Sequence, residues 1–71
     1  MPRVREFDPD DALEKAMRLF WRKGYAETSV RDLVKFTGVA HAGLYGEFGG
    51  KKELYRAALE LYDRQFGNKL F

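Results

Sequence analysis

Residues able to do covalent chemistry are scarce in this chain. There is no cysteine, and one histidine, His41. A lone imidazole cannot build a metal site, and no motif sets a nucleophile or second base beside it. The run Gly49-Gly50-Lys51-Lys52 lacks the spacing of a nucleotide-binding phosphate loop. No catalysis, metal or cofactor is therefore expected. The polar residues suit a different task, the non-covalent grip of a polyanion. Thr28 and Ser29 stand where a helix should begin, and hydroxyls with free backbone N–H groups there can hold a phosphate. Lys51 stands at the start of another helix, among the same kind of free N–H groups.

Charge and length set the frame for that chemistry. Lys and Arg number 13 against 11 Asp and Glu, a net charge of +2. This permits nucleic acid as a partner without requiring it. No apolar run approaches the roughly 18 residues of a membrane span. The start, Met1-Pro2-Arg3-Val4-Arg5-Glu6, lacks the apolar stretch of a secretion signal. Absence of cysteine suits a reducing compartment. A soluble cytoplasmic protein with no membrane partner is the expectation. At 71 residues there is room for one small domain with a marginal core.

The elements that must position these residues are all helical. Both prolines precede residue 10, and apolar residues recur at three and four rather than two. The first helix starts at Asp8, which can accept from first-turn N–H groups, and Pro9 suits the first helical position. Asp10 and Asp11 complement the helix dipole. Leu13, Ala16, Met17 and Phe20 form its buried stripe. Gly24 ends it, and Tyr25 can fold back on its end. The second helix starts at Thr28-Ser29, where Ser29 and Asp32 have capping-box spacing. Val30, Leu33 and Val34 supply its inner face, and it stops at Gly38.

The third helix, from about Ala40 to Glu47, is unusual. It contains Gly43 and Gly46, each costing about 1 kcal/mol relative to alanine. Val39, Leu44 and Phe48 must anchor it. Ala40, Ala42, Gly43 and Gly46 leave its surface nearly bare, open to close approach by a large object. The fourth helix runs from Lys51 toward Phe66. Leu54, Ala57, Ala58, Leu61 and Tyr62 make one apolar stripe. Tyr55, Leu59 and Phe66 make a second, which reads as an interface for a neighbour missing from this chain. Trp21 and Tyr25 read as packing. The expected fold is all-α, a small helix-turn-helix bundle of three helices plus the start of a fourth, connecting helix.

Two short helices joined by a tight turn at Gly38 match the helix-turn-helix signature. Such a pair sends the start of its second helix to base edges in the DNA major groove, while surrounding polar groups hold phosphates. Leu19-Phe20, Gly24-Tyr25, Thr28-Ser29-Val30-Arg31-Asp32-Leu33, Gly38-Val39, Leu44-Tyr45, Phe48 and Lys51 carry a resemblance. In order and spacing they are similar to the N-terminal domain of the tetracycline-repressor (TetR) family of transcriptional regulators, over about Asp10 to Leu59. The resemblance implies a DNA-binding head, homodimerisation through a larger C-terminal ligand domain, and repression released by a small-molecule inducer.

It also implies roles. Tyr45 and Lys51 fall on the family's phosphate-contacting tyrosine and lysine. Thr28 and Ser29 would hold another phosphate. Arg31, one turn into the second helix, would reach a guanine or a phosphate. His41 and Ala42 occupy the base-facing start of the recognition helix, with Gly46 on the same surface. Bland alternatives stand beside these. Tyr45 can be a half-buried packing residue, and Arg31 a solvated charge. Arg3 and Arg5 are either a minor-groove arm or a loose tail.

Departures from the family pattern are specific. Gly46 replaces a larger side chain. Ala40 and Gly50 replace common capping residues. Glu47 stands where neutral side chains are frequent, and is expected to point away from DNA or to pair with Lys51 or Lys52. The reading divides the chain into a basic arm (1–8), a helix-turn-helix domain (9–50) and a connecting helix (51–71). The last of these leads toward a C-terminal domain that the chain lacks, so the chain reads as a truncated piece. A small helical protein-interaction module is the rival function, motivated by the second apolar face of the last helix.

Overall fold

The computed structural model describes residues 7–66, without the Phe66 side chain. Arg3, Arg5 and the Phe66 contact surface lie outside the described residues. The order is α1 (Pro9–Lys23), α2 (Val30–Thr37), α3 (His41–Phe48) and α4 (Lys51–Phe66). No strand occurs among the described residues. The fold is the all-α bundle expected from the sequence. No helix among them is long and apolar enough to cross a membrane.

Local chemistry sets the helix ends. The Asp8 carboxylate accepts from the Asp10 N–H at 3.0 Å, with Pro9 next to it at the helix start. The Gly24 N–H closes α1 on the Phe20 carbonyl at 2.7 Å. Tyr25 does fold back, its ring stacked on Phe20 at 5.9 Å. At α2 the capping box is reciprocal. Asp32 N–H donates to Ser29 Oγ at 3.0 Å, and Ser29 N–H donates to Asp32 Oδ2 at 3.1 Å. Gly38 ends α2 at φ 77°, a left-handed conformation that favours glycine.

The core lies where α1 packs on α4 and α2, with α3 set against α4 and α2. Ala12, Leu13, Ala16, Met17, Leu19 and Phe20 fill it from α1, Leu33 from α2, Leu44 from α3, and Leu54 and Ala58 from α4. Val39 closes it at the turn. The inner face of α2 differs from expectation. Leu33 is buried, Val30 and Val34 are half-buried, and Thr37 is buried instead. Thr37 can be buried because both its hydrogen-bonding capacities are used. Its hydroxyl donates to the Leu33 carbonyl at 2.7 Å and accepts the Val39 N–H at 3.1 Å. That pair ties the end of α2 to the turn that launches α3.

The second stripe of α4 needs correction. Tyr55 is not an unpartnered surface residue. Its ring meets Phe20 edge-on at 5.0 Å and Tyr25 at 4.7 Å. Leu59 is 40% exposed, as a free face would be. Trp21 packs on Tyr62 at 4.8 Å yet keeps 44% of its surface open.

Candidate nucleic-acid interface

Three helix beginnings carry the residues singled out by the sequence, and each is built differently. The start of α2 is fully capped. Ser29 is exposed, its Oγ engaged with the Asp32 N–H. Lys23 adds a bridge to Asp32 Oδ2 at 2.9 Å. The lysine contact and the two Ser29 hydrogen bonds lower the Asp32 carboxyl from 3.8 to about 2. Arg31 is exposed one position into the helix and makes no ion pair among the described residues.

Thr28 takes a different role from the one expected. It is 0% exposed, and its hydroxyl donates to the Gly24 carbonyl at 2.6 Å. In this arrangement the hydroxyl is enclosed and already donating, so it is not displayed to a phosphate. Thr28 instead pins the turn between α1 and α2, and leaves Ser29 as the side chain displayed there.

The start of α3 has no side-chain cap at all, since Ala40 offers none. His41 and Ala42 are exposed, and so is Gly46 one turn later. Nothing lies within 4 Å of where a Gly46 Cβ would stand, so packing does not require glycine there. Gly43 differs. Its missing Cβ would lie 3.4 Å from the Phe7 ring and 3.5 Å from Val39. Gly43 therefore faces protein and Gly46 faces open space. Glu47 is exposed.

Tyr45 sits behind the His41 ring, edge-on at 4.7 Å. Its hydroxyl is enclosed and has no hydrogen-bond partner. Burial, followed by the nearby Tyr25 phenol, pushes the Tyr45 phenol above its ordinary 10.0. As it stands, Tyr45 is the half-buried packing residue of the bland alternative. Contact with a phosphate would require the side chain to turn outward.

The start of α4 is held by Glu53 and Tyr25. Gly50 supplies the carbonyl that accepts the Leu54 N–H at 2.8 Å. Glu53 folds back over Gly49 and Gly50, so that a Cβ on Gly50 would lie 2.9 Å from its Oε1. The glycine that removed a side-chain cap thus makes room for a carboxylate at the positive end of the helix. The Lys51 ammonium rests over the Tyr25 ring, 4.5 Å from its centroid. The sequence reading missed Tyr25 as part of this site, because only the tertiary fold brings residues 25 and 51 together.

The open face of α3, with α2 and α4 beginning around it, is the arrangement by which a helix-turn-helix presents its second helix. The sequence pattern that defines the tetR family of bacterial regulatory proteins matches residues 12–58. The chain belongs to that family. Among its relatives, the HTH-type transcriptional repressor ComR of Escherichia coli (strain K12) is 49% identical over 67 residues, 94% of this chain and 32% of ComR. The HTH-type regulator YezE of Bacillus subtilis (strain 168) is 37% identical over 62 residues, 87% of this chain and 32% of YezE. The HTH-type transcriptional repressor BdcR of Escherichia coli (strain K12) is 35% identical over 60 residues, 84% of this chain and 30% of BdcR. The chain spans about a third of the length of these tetR-family relatives. No solved structure matches it.

Proposed function

We propose that this chain is the sequence-specific DNA-binding head of a TetR-like transcriptional regulator. The observation that carries the reading is the exposed, nearly bare face of α3 formed by His41, Ala42 and Gly46. A helix stripped of bulk on its outer side suits insertion into a major groove, where its first residues meet base edges. Ser29 and Lys51 hold phosphates on either side and set the register. Arg31 reaches a guanine or a phosphate from α2. Arg3 and Arg5 enter the adjacent minor groove as a basic arm. The full-length protein works in the cytoplasm as a homodimer joined through a C-terminal domain, and represses transcription until a small-molecule inducer binds there. Two of the relatives above are named as repressors, in keeping with that role.

Tyr45 joins the clamp by turning outward. An enclosed, unpaired hydroxyl costs about 1–3 kcal/mol, and a phosphate oxygen offers the partner it lacks. Tyr45→Phe should therefore leave thermal stability unchanged or raised while weakening DNA binding several-fold, by roughly 1 kcal/mol. Unchanged affinity would confine Tyr45 to packing.

The reading as a whole is tested by fluorescence anisotropy on duplex DNA across a salt series. Affinity should fall steeply with salt as counterions are released. Lys51→Ala should weaken all sequences alike, and His41→Ala should alter preference among sequences selected from a random pool. If neither substitution changes DNA affinity, the assigned surface is wrong.

A further inference from the structure

Lys51 occupies an awkward position for a cation. It is the first residue of α4, where the helix dipole is positive. No carboxylate pairs with it among the described residues. The Tyr25 ring is the group in contact with its ammonium, 4.5 Å from the centroid. That ring is itself fixed. Phe20 of α1 stacks on it at 5.9 Å, and Tyr55, one turn beyond Lys51 on the same face of α4, packs on it at 4.7 Å.

We propose that Tyr25 is a positioning residue for the phosphate grip of Lys51, acting through a cation–π contact that holds the ammonium in place before DNA arrives. The inference rests on the DNA-binding reading above. Its logic is entropic as well as electrostatic. A free lysine side chain explores many rotamers and must be immobilised when it takes a phosphate. A ring face attracts the charge without consuming an N–H group, so the three ammonium donors stay available to phosphate oxygens. Tyr25 also precedes α2 by a short turn, and its carbonyl accepts the Thr28 N–H at 3.3 Å. One residue thus both contacts the Lys51 ammonium and closes the turn that leads into α2.

The test uses the 71-residue chain and a mixed-sequence duplex, since a phosphate grip acts on every sequence. At about 0.1 M salt, Lys51→Ala should weaken binding roughly tenfold and flatten the salt slope by about 0.9. Tyr25→Leu should weaken it roughly two- to fivefold, and Tyr25→Phe, which keeps a ring face, by less than about twofold. In a Lys51→Ala background, Tyr25→Leu should cost nothing further. An equal loss with and without Lys51 would overturn the proposal, because it would mark Tyr25 as a structural support only. Full affinity in Tyr25→Leu beside weakened Lys51→Ala would overturn the positioning role and leave the DNA reading standing. No effect from Lys51→Ala would remove both. Should Tyr25→Leu lose its helical signal, the unsubstituted chain decides by NMR. The Lys51 Cε protons should be shifted upfield by the ring current, and ordinary lysine shifts there would overturn the contact.

Discussion

Helices α2 and α3 have the same length, eight residues each, and opposite construction. The start of α2 is closed by a reciprocal capping box with a lysine bridge laid over it. The start of α3 has no side-chain cap, no acidic residue in its first turn, and two glycines in its interior. By local chemistry α2 would form readily and α3 would not. The difference teaches where specificity of fold and access to a ligand part company. α2 is stabilised by its own side chains and positions its neighbour. α3 is held from behind by Leu44, Val39 and half-buried Phe48, and its front stays bare.

If α3 depends on its anchor, removing that anchor should have the largest effect. Leu44 and Leu33 are both 0% exposed. Each truncation to alanine should cost about 2–5 kcal/mol by the usual cavity argument. A domain of this size has little stability to lose. The comparison sharpens in how each loss is distributed. Leu44→Ala should abolish amide protection throughout α3 while α2 amides retain some, as read by hydrogen exchange. Leu33→Ala should erase protection in both, because α3 is docked on α2 through the buried Thr37 turn. Equal patterns from the two variants would break the proposed dependence of one helix on the other.

The next test exchanges the caps. Ser29→Ala removes the side-chain half of the box, the Asp32 N–H to Ser29 Oγ bond, keeps the backbone half, and should destabilise by about 1 kcal/mol. Ala40 has φ −61° and ψ 152°, the extended conformation a capping residue adopts, and it is exposed. Ala40→Ser should therefore stabilise by about 1 kcal/mol, as measured by urea denaturation. Absence of a gain would mean that the start of α3 is limited by something other than its missing cap.

Gly46 separates stability from function more finely. Open space surrounds its Cβ position, so Gly46→Ala should stabilise α3 by about 1 kcal/mol. If α3 enters the groove with this face, the same methyl group should weaken DNA binding. Thermal midpoint up and affinity down is the expected pair. A stabilised variant that binds DNA as well as before would move the contact surface off Gly46.

Much of this was legible in the chain itself, for a physical reason. Caps and helix stops act within a few residues, so Asp8, Ser29 with Asp32, Gly24 and Gly38 announced the helices that the structure contains. The bare front of α3 was legible because small residues stay small wherever the fold places them. What stayed hidden was which polar hydrogens turn inward. Thr28 and Ser29 are adjacent and chemically alike, yet one closes a turn against Gly24 and the other is displayed. Tyr55 reads as part of a missing-partner face, yet its ring packs against the core. For Tyr45 the sequence leaves packing and phosphate contact side by side, and only the fold shows its ring against the core. Tyr25 meets Lys51 only because α1 and α4 pack together, and no local spacing encodes that meeting.

The smallest expected effect concerns acid, and it again divides the two helices. The folded Asp32 carboxyl titrates at about 2, against 3.8 for an ordinary aspartate. A folded value below the unfolded one gives a contribution that is present above about pH 4 and lost as pH falls through 2. The group is solvated and its lysine partner is screened, so the change should be a modest decline rather than a transition. The Ser29 and Asp32 amide resonances should titrate together with a midpoint near 2 as the box opens, while the amides at the start of α3, which have no carboxylate cap, stay flat over the same window. Asp32→Asn should remove the titration and leave the α3 amides unchanged. A midpoint near the ordinary aspartate value would mean that the box is open much of the time. The start of α2 would then be no better closed than that of α3, and the contrast between the two helices would rest on glycine content and packing alone.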